Sequence, residues 1–211
     1  MTPSELLSKD RKLAKLVAEQ DTIALEKRKN ICLQLCLSIM SQQLSTAVAR
    51  VFHKRFIALF SSASPAPANI AAIPFDTLRS IGLSNAKASY IHNVAAFFSE
   101  HKITDAQLHK MEDEEIILLL TQIKGVGRWT VEMILMFSMA REDVFSADDL
   151  GIQQAFCKLY KVEASDKKAM KNKMMQQAEK WKPFRTYACR HLWAWKDNSP
   201  APAKKSLSEK K

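Results

Sequence analysis

The sequence predicts an all-α fold made of two helical subdomains. Apolar residues recur at helical spacing along almost the whole chain, for example at Val48, Val51, Phe52, Phe56 and Phe60. No sustained alternating run and no Asn-Gly or Asp-Gly pair points to a β-hairpin. Only four of the 211 residues are glycine, so each glycine marks a place where the backbone requires one. These observations indicate a chain of packed helices with short connections.

Helical spacing also predicts where the individual helices lie. The predicted helices cover residues 3–20, 29–43, 45–60, 75–80, 84–100, 104–109, 112–121, 127–140, 150–161, 166–180 and 183–196. Residues 61–74 are rich in Ser, Ala and Pro and are predicted to form a loop. We expect a central domain over residues 30–140 and a second domain from residues 1–29 and 141–197. Residues 198–211 are expected to be a disordered basic tail.

The composition is that of a basic globular protein. Lys and Arg number 32 against 22 Asp and Glu, which gives a formal charge of +10 and a pI near 9.5. Such a charge permits nucleic-acid binding without proving it. The sequence shows no signal peptide and no apolar run of membrane-spanning length. We therefore expect an intracellular protein with no membrane partner, in the cytoplasm or nucleoid of a bacterium or the nucleus of a eukaryote.

The cysteines are few and scattered. Cys32, Cys36, Cys157 and Cys189 lack the C-x-x-C spacing of a zinc site and do not suggest a disulfide framework. We expect them to be small, mostly buried apolar side chains.

The most specific segment contains Gly125-Val126-Gly127 between two apolar helices. Two glycines permit positive φ and keep Cβ atoms away, so backbone N–H groups of the second helix can approach a phosphate. Lys124 and Arg128 flank the turn with positive charge. The alternative is a glycine C-cap between two core helices, which has no functional meaning.

A second candidate is the acidic pair Asp148-Asp149, which follows an apolar approach and enters a helix. Helix capping explains it simply, because Ser146-x-x-Asp149 fits a capping box and acids favour the first helical turn. A carboxylate in a water-poor pocket can also stabilise developing positive charge or orient a water. The residues of this segment leave both interpretations open.

The pattern L-x-x-I-x-G-V-G-x-x-T at residues 120–130, with an aspartate at the head of the next helix, resembles the helix-hairpin-helix motif of base-excision DNA glycosylases. The resemblance implies an active-site cleft between the two subdomains and Asp149 as the catalytic carboxylate, with Asp148 in a capping role. It also implies a structural Na⁺ or K⁺ ion held by backbone carbonyls. The carbonyls implied are those of Thr121, Ile123 and Val126, and the DNA-binding residues implied are Lys124, Gly125, Val126, Gly127, Arg128 and Thr130.

Two features favour hydrolysis without lyase chemistry. Bifunctional members of this superfamily carry a nucleophilic lysine after the hairpin, and Trp129 stands at the matching position here. A four-cysteine iron–sulfur loop is excluded because Cys189 is the only cysteine near the C-terminus. We therefore expect a monofunctional enzyme that requires no cofactor.

The segment from Trp181 to Trp195 resembles the closing W-x-P-x-R-S-x-A…W signature of the 3-methyladenine DNA glycosylase II family. The resemblance implies that Trp193, with Trp129 and Met133, lines the pocket for a flipped base. Electron-rich indoles attract the cationic ring of a methylated purine. Trp181 and Trp195 are expected to pack in the core, and His191 stays open as an acid.

Two further segments match the same family. Residues 39–45, I-M-S-Q-Q-L-S, resemble the segment that fills the space left by the flipped base, which implies Gln42, Gln43 and Leu44, with Gln43 nearest the wedge position. Residues 82–88 match the family's G-L-S-x-x-K-A stretch. In the second pocket position after Trp193, Ala194 replaces the family's aromatic residue.

Together these patterns predict a monomeric glycosylase of the 3-methyladenine type II kind. It would bind double-stranded DNA, flip an alkylated purine such as 3-methyladenine or 7-methylguanine, and hydrolyse the N-glycosidic bond. Two alternatives remain: a non-catalytic helix-hairpin-helix DNA-binding module, and a bifunctional glycosylase with AP lyase activity.

Overall fold

The computed structural model describes residues 1–163 and 165–198. This part of the chain contains α-helices and no β-strand, which confirms the all-α prediction. None of its helices has the length and apolar character needed to cross a membrane. The helices are α1 Pro3–Leu7, α2 Leu13–Glu19, α3 Ile31–Ser41, α4 Thr46–Ile57, α5 Pro67–Ala71, α6 Phe75–Ser80, α7 Asn85–Glu100, α8 Asp105–Lys110, α9 Asp113–Leu120, α10 Arg128–Phe137, α11 Leu150–Tyr160, α12 Lys167–Glu179 and α13 Arg185–Asn198. The predicted tail from Ser199 onward lies outside the described residues.

Three predicted boundaries are wrong for local reasons. The helix predicted over residues 3–20 is two helices, because the Asp10 carboxylate accepts the N–H groups of Lys12 and Leu13 in the turn before α2. The predicted loop over residues 61–74 contains α5, which starts with Pro67 at its first position. The helix after the hairpin ends at Phe137 and not at residue 140, where Ala140 has a φ of 56°.

The described residues form two compact units. One unit is Ala24–Val144, and the other contains Met1–Ile23 and the described residues from Phe145 onward. In the first unit α3 is the central helix and packs against α4, α7 and α10, while α5 and α6 pack against α7. Its Ile31, Leu35 and Ile39 side chains are fully buried. Such continuous apolar contact supplies most of the stability of a helix of this length.

The other unit is built on α11 and α13, which pack against each other and against α12 and α2 respectively. Trp181 is 1% exposed and contacts the rings of Phe145, Phe156 and Tyr160, so the prediction that it is a core residue is confirmed. Cys189 of α13 is fully buried, as the sequence predicted.

A partly buried hydrogen-bond network ties the turn between α1 and α2 to this core. The second Asp10 oxygen, Oδ2, accepts hydrogen bonds from the Tyr160 hydroxyl, from Gln177 Nε2 at 2.6 Å and from Trp181 Nε1 at 3.1 Å. Burial by itself raises the pKa of Asp10, but the hydrogen bonds from Tyr160, Trp181 and the backbone outweigh it and lower that pKa. Burial and the Asp10 carboxylate together raise the pKa of Tyr160 well above its ordinary value.

Candidate functional site

Asp149 is the N-cap residue of α11. Its Oδ1 accepts the backbone N–H of Ile152 at 2.7 Å and the indole N–H of Trp193 at 2.9 Å. The residue is 9% exposed. The capping and catalytic interpretations are therefore compatible, because one oxygen holds the helix while the carboxylate stays in a mostly buried position. The predicted Ser146-x-x-Asp149 capping box is wrong, since the helix begins after Asp149 and not after Ser146.

Gly151 explains how Trp193 comes so close to Asp149. A Cβ atom at Gly151 would lie 3.0 Å from Asp149 Oδ1 and 3.1 Å from Trp193 Cδ1 and Nε1. Both distances are tighter than ordinary van der Waals contact. The rarity of glycine, with only four in the chain, marks Gly151 as a constrained position. The sequence does not indicate that Trp193 is the side chain packed against it.

Asp148 has a different environment from its neighbour. It is exposed, and Lys171 of α12 pairs with it at 2.7 Å. The expectation that Asp148 caps the helix is wrong, because Asp149 occupies that position. A solvent-exposed ion pair of this kind contributes little to stability, on the order of 0–1 kcal/mol.

The aromatic residues of α13 differ in their contacts. Trp193 is half-buried and donates to Asp149, whereas Trp195 lies under the ammonium group of Lys158, 4.8 Å from the ring centroid. Trp195 is half-buried, so it is less enclosed than the expected core residue. Ala194 is half-buried beside them and adds no aromatic surface.

His191 is buried at 4% exposure and bonded to Gln20. The Gln20 amide nitrogen donates to the His191 carbonyl at 3.1 Å, and His191 Nδ1 lies 2.8 Å from the Gln20 amide oxygen. Because that oxygen can only accept, Nδ1 carries the hydrogen. Burial, helped by the positive charge of Arg190, lowers the pKa of His191 to about 4. A neutral imidazole at pH 7 is a poor source of protons, which disfavours His191 as the general acid.

The hairpin runs from the end of α9 at Leu120 to the start of α10 at Arg128. Gly125 has a φ of +101°, and a Cβ atom there would lie 2.2 Å from the ring of Tyr90. Gly127 has an ordinary φ of −96° and open space around it, so only the first glycine uses the positive φ that both residues permit. Gly127 is the N-cap of α10, so the backbone N–H groups of the first helical turn follow directly after the hairpin.

The two basic residues beside the hairpin have different surroundings. Lys124 is exposed, and its carbonyl accepts a hydrogen bond from the Asn93 side chain at 3.0 Å. Arg128 makes a bidentate pair with Glu114 and a further pair with Glu132 at 3.0 Å. The hydrogen bonds to Glu114, together with the charge of Glu132, raise the pKa of Arg128 above its ordinary value. Two carboxylates therefore face the guanidinium that was predicted to meet a phosphate.

The carbonyls implied for a monovalent cation belong to one tight turn. The Ile123 carbonyl accepts the Val126 N–H at 3.0 Å, and Thr121 is the C-cap of α9. Ile123 and Val126 have buried side chains, so their backbone carries the polar groups of the turn. Carbonyl oxygens suit a hard monovalent cation, and a carbonyl has a second lone pair beyond one hydrogen bond. No cluster of three His, Cys, Asp or Glu side chains suited to a metal occurs in residues 1–163 and 165–198.

The predicted wedge residues follow the C-terminus of α3. Gln42 is the C-cap, and its Nε2 donates to Thr130 Oγ1 of α10 at 3.1 Å. Gln43 is exposed and has a φ of 62°, an unusual value for a residue other than glycine. Leu44 is half-buried. Of the three, Gln43 is the one that combines an exposed side chain with an unusual backbone conformation.

A cavity of about 440 Å³ lies within the Ala24–Val144 unit beside this loop. Trp129 and Met133 of α10 line it together, as expected for residues four apart on a helix. Gln42, Gln43 and Leu44 also contribute to its lining. The structure therefore brings the predicted aromatic residue, Met133 and the predicted wedge residues to one cavity.

Sequence reasoning missed residues that support these elements. His53 lines the same cavity, and its Nε2 lies 2.9 Å from Ser41 Oγ and 3.0 Å from the Leu37 carbonyl. Tyr90 and Asn93 of α7 contact the hairpin. Nothing in the sequence marked these three, because their partners are distant along the chain.

Comparisons with known proteins identify the family of this chain. Residues 36–183 match the model of the HhH-GPD superfamily of base excision DNA repair proteins. A protein from Schizosaccharomyces pombe, DNA-3-methyladenine glycosylase 1, is 34% identical over 185 residues, covering 87% of this chain and 80% of its own. The chain spans a smaller share, 57% and 56%, of longer relatives from Bacillus subtilis and Saccharomyces cerevisiae.

Solved structures give the same result. A structure of the S. pombe 3-methyladenine DNA glycosylase Mag1 in complex with abasic DNA superposes with a TM-score of 0.80 at 32% identity, covering 92% of this chain and 95% of that one. A DNA-3-methyladenine glycosidase from Bacillus halodurans superposes with a TM-score of 0.79 at 30% identity, covering 93% and 90%. Both likenesses extend over nearly the whole length of the two chains compared.

Proposed function

The chain belongs to the HhH-GPD superfamily of base excision DNA repair proteins, and we propose that it removes alkylated purines from double-stranded DNA as a monofunctional glycosylase of the 3-methyladenine type II kind. The products are a free base and an abasic site. The names of the relatives support an alkylpurine substrate. The observation that carries the proposal is the Asp149 carboxylate, held by two N–H donors at the head of α11.

Asp149 provides the chemistry that base release requires. Breaking the N-glycosidic bond builds positive charge on the deoxyribose, and a carboxylate fixed in a mostly buried position stabilises that charge. The Ile152 and Trp193 donors hold the carboxylate before the reaction, so little reorganisation is needed. The same carboxylate orients or deprotonates the attacking water.

The base must leave the duplex before it can be cut, and unstacking costs a few kcal/mol. In the proposal Gln43 fills the space left behind, and Trp129, Met133 and Trp193 receive the base. A purine methylated at N3 or N7 is cationic, which favours contact with an indole face. It is also a good leaving group, so the proposal needs no strong general acid.

We propose hydrolysis without lyase chemistry because Trp129 occupies the position where bifunctional relatives carry a lysine. A covalent imine with the sugar needs such an amine nucleophile. If the protein were a lyase, borohydride would trap it covalently on lesion-containing DNA. We expect no trapped adduct.

Phosphate binding is proposed for the hairpin, through backbone N–H groups at the head of α10 with Lys124 and Arg128 beside them. A Na⁺ or K⁺ ion held by the carbonyls of Thr121, Ile123 and Val126 would add a positive charge next to the phosphate. We expect DNA affinity to fall when Na⁺ and K⁺ are replaced by a bulky organic cation at equal ionic strength. An unchanged affinity would remove the ion from the proposal.

The deciding experiment compares excision of 3-methyladenine and 7-methylguanine from methylated DNA by the wild type, Asp149→Asn and Asp148→Asn. We expect Asp149→Asn to lower the rate by at least about 100-fold, because it removes the charge that faces the sugar. Asn keeps an oxygen for the Ile152 N–H, so the helix cap is preserved. Asp148→Asn is the matched control, since it removes an exposed acid next in sequence, and its rate should stay within about threefold of wild type.

Two outcomes would contradict the proposal. Equal excision by wild type and Asp149→Asn would show that Asp149 is not the catalytic carboxylate. Tight binding to methylated DNA with no excision by any of the three proteins would favour a non-catalytic helix-hairpin-helix DNA-binding module.

A further inference from the structure

One face of α7 contacts two elements that the proposed function places on DNA. Lys87, Tyr90 and Asn93 follow one another at every third position of this helix and so lie close together on its surface. Lys87 contacts the end of α3, while Tyr90 and Asn93 contact the hairpin. None of these residues was among the predicted site residues, and none belongs to the catalytic chemistry described above.

Lys87 is bonded to the backbone that carries the wedge segment, Gln42–Leu44. Its Nζ donates to the Met40 carbonyl and to the Gln42 carbonyl, each at 2.8 Å. These carbonyls lie at the C-terminal end of α3, where unpaired carbonyl groups and the helix dipole both favour a cation. Hydrogen bonds from a charged group to neutral acceptors are stronger than those between neutral groups. Lys87 is half-buried, so water competes only partly for these bonds.

The wedge segment has a backbone that needs such support. Gln43 adopts a φ of 62°, a left-handed conformation that is strained for a residue other than glycine. Residues on either side of Gln43 are held: Gln42 by Thr130, and Leu44 through its N–H to the Ser41 carbonyl at 3.1 Å. The exposed Gln43 side chain is thus presented outward from a loop whose backbone is tied down.

The same helix holds the hairpin. Asn93 donates to the Lys124 carbonyl at 3.0 Å, and the Tyr90 ring occupies the space where a Cβ atom at Gly125 would lie. Because Lys87 and Asn93 are on one rigid helix, the wedge segment and the phosphate-binding turn are held to a common support. Ordering two binding elements in advance removes part of the entropy that binding must otherwise overcome.

We propose that Lys87 is a positioning residue for the extrusion of the damaged base. It fixes the Gln42–Leu44 backbone so that Gln43 enters the duplex, and α7 keeps this segment in register with the hairpin. The inference rests on the proposed function, since a wedge matters only to a protein that flips a nucleotide. Lys87 touches neither the sugar nor the base in this role.

The test uses Lys87→Met, which keeps most of the side-chain stem and removes the donors, and Lys110→Met as the control. Lys110 is an exposed lysine of α8 in the same unit, so both variants lose one positive charge. Excision is measured with a duplex carrying the lesion in a base pair and with one carrying it in an unpaired bulge, where little unstacking is needed. We expect Lys87→Met to lose about tenfold on the paired lesion and less than about threefold on the bulged one. Lys110→Met should stay within about twofold on both.

A double variant separates positioning from other roles. If Lys87 acts through the wedge, Lys87→Met combined with Gln43→Ala should be no slower on the paired lesion than Gln43→Ala alone, because the two losses are not additive. Equal losses on both substrates, or additive losses, would overturn the proposal and indicate a general structural role or a direct phosphate contact. Thermal unfolding of each variant checks that the bulged-substrate rate comes from folded protein.

A second readout keeps this inference separate from the proposed function. Wild type, Lys87→Met, Gln43→Ala and the double variant are each bound to a duplex with a tetrahydrofuran abasic analogue beside 2-aminopurine, whose fluorescence reports unstacking. If wild type excises nothing, the proposed function is wrong. The fluorescence changes of the four proteins on this duplex still decide the role of Lys87. Loss of the fluorescence change in Lys87→Met, with no further loss in the double variant, supports positioning; an unchanged signal refutes it.

Discussion

At the scale of single residues, the two acids of the pair show how position decides chemistry. Asp148 and Asp149 are chemically identical and adjacent, yet one is exposed and paired with Lys171 while the other is buried and held by Ile152 and Trp193. The sequence alone could not separate capping from catalysis at Asp149. The structure shows that the residue caps α11, and this same bond orients the carboxylate that the proposed reaction uses.

His191 gives a prediction at the same scale. Its pKa is lowered to about 4 by burial and by Arg190, so it stays neutral through the pH range in which an exposed histidine gains a proton. Histidine-linked stability is fully present above the ordinary pKa of about 6.5 and is lost as pH falls from there towards 4, because the unfolded chain then binds the proton more strongly.

NMR titration of the histidine rings checks this. We expect the His191 resonances to remain those of a neutral, Nδ1-protonated imidazole at pH 6. A titration midpoint near 6.5 would contradict the prediction and restore His191 as a candidate acid. Replacement of Gln20 by Ala should raise the midpoint little, since burial comes first among the causes of the shift.

At the scale of elements, the two glycines of the hairpin differ in whether another residue could replace them. Gly125→Ala places a methyl group 2.2 Å from the Tyr90 ring at a φ of +101°, which we expect to lower the free energy of unfolding by about 1–3 kcal/mol. Gly127→Ala is the matched control, because Gly127 has an ordinary φ and open space. We expect it to cost less than about 1 kcal/mol. Urea unfolding of both variants measures the difference, and equal losses would show that the Tyr90 contact does not matter.

The turn between α1 and α2 gives a second prediction for an element. Asp10→Asn replaces an acceptor of several hydrogen bonds by an amide whose NH₂ group faces the Tyr160, Gln177 and Trp181 donors. We expect a loss of about 1–3 kcal/mol at pH 7. Asp21→Asn, an exposed acid of the same unit, should change stability by less than about 0.5 kcal/mol.

The lowered pKa of Asp10 determines how the stability of the protein changes with pH. Its folded-state pKa is lowered, so the stability it contributes is present above the unfolded value of about 3.9 and is lost as pH falls through the folded value. The stability difference between wild type and Asp10→Asn should therefore shrink in urea titrations below about pH 4. A difference that stays constant down to pH 3 would mean that the charge of Asp10 is not what the network uses.

At the scale of the whole molecule, the net charge of +10 favours phosphate binding. Each phosphate contact lowers the logarithm of the affinity for duplex DNA by about 0.9 per decade of salt, so three contacts predict a fall of at least about tenfold when salt is tripled. Fluorescence anisotropy with undamaged duplex measures this fall, and a flat response would contradict phosphate binding. Lysines between residues 158 and 182 should mostly form a solvated face. Alanine at exposed Lys167 or Lys173 should therefore change the slope by less than about 0.3, against the roughly 0.9 expected for a lysine that contacts a phosphate.

Much of this molecule follows from its sequence, because the relevant signals are local. Helical periodicity over most of the chain depends only on neighbouring residues. The same is true of the glycine turn of the hairpin and of the position of Asp149 at a helix start. The resemblance to the glycosylases rested on short motifs that are read in the same way. Errors occurred where one side chain overrides a local pattern, as Asp10 does between α1 and α2.

Only the tertiary structure decided which distant residues meet. Trp193 lies 44 residues from the carboxylate that it hydrogen-bonds, and Lys87 lies 45 and 47 residues from the two carbonyls that it holds. Such contacts depend on how packed helices bring their faces together, and no periodicity in the chain encodes a partner at that distance. The sequence therefore determined the all-α class, the family and the candidate carboxylate. The packing decided what holds that carboxylate, what fixes the wedge segment and which glycine must remain a glycine.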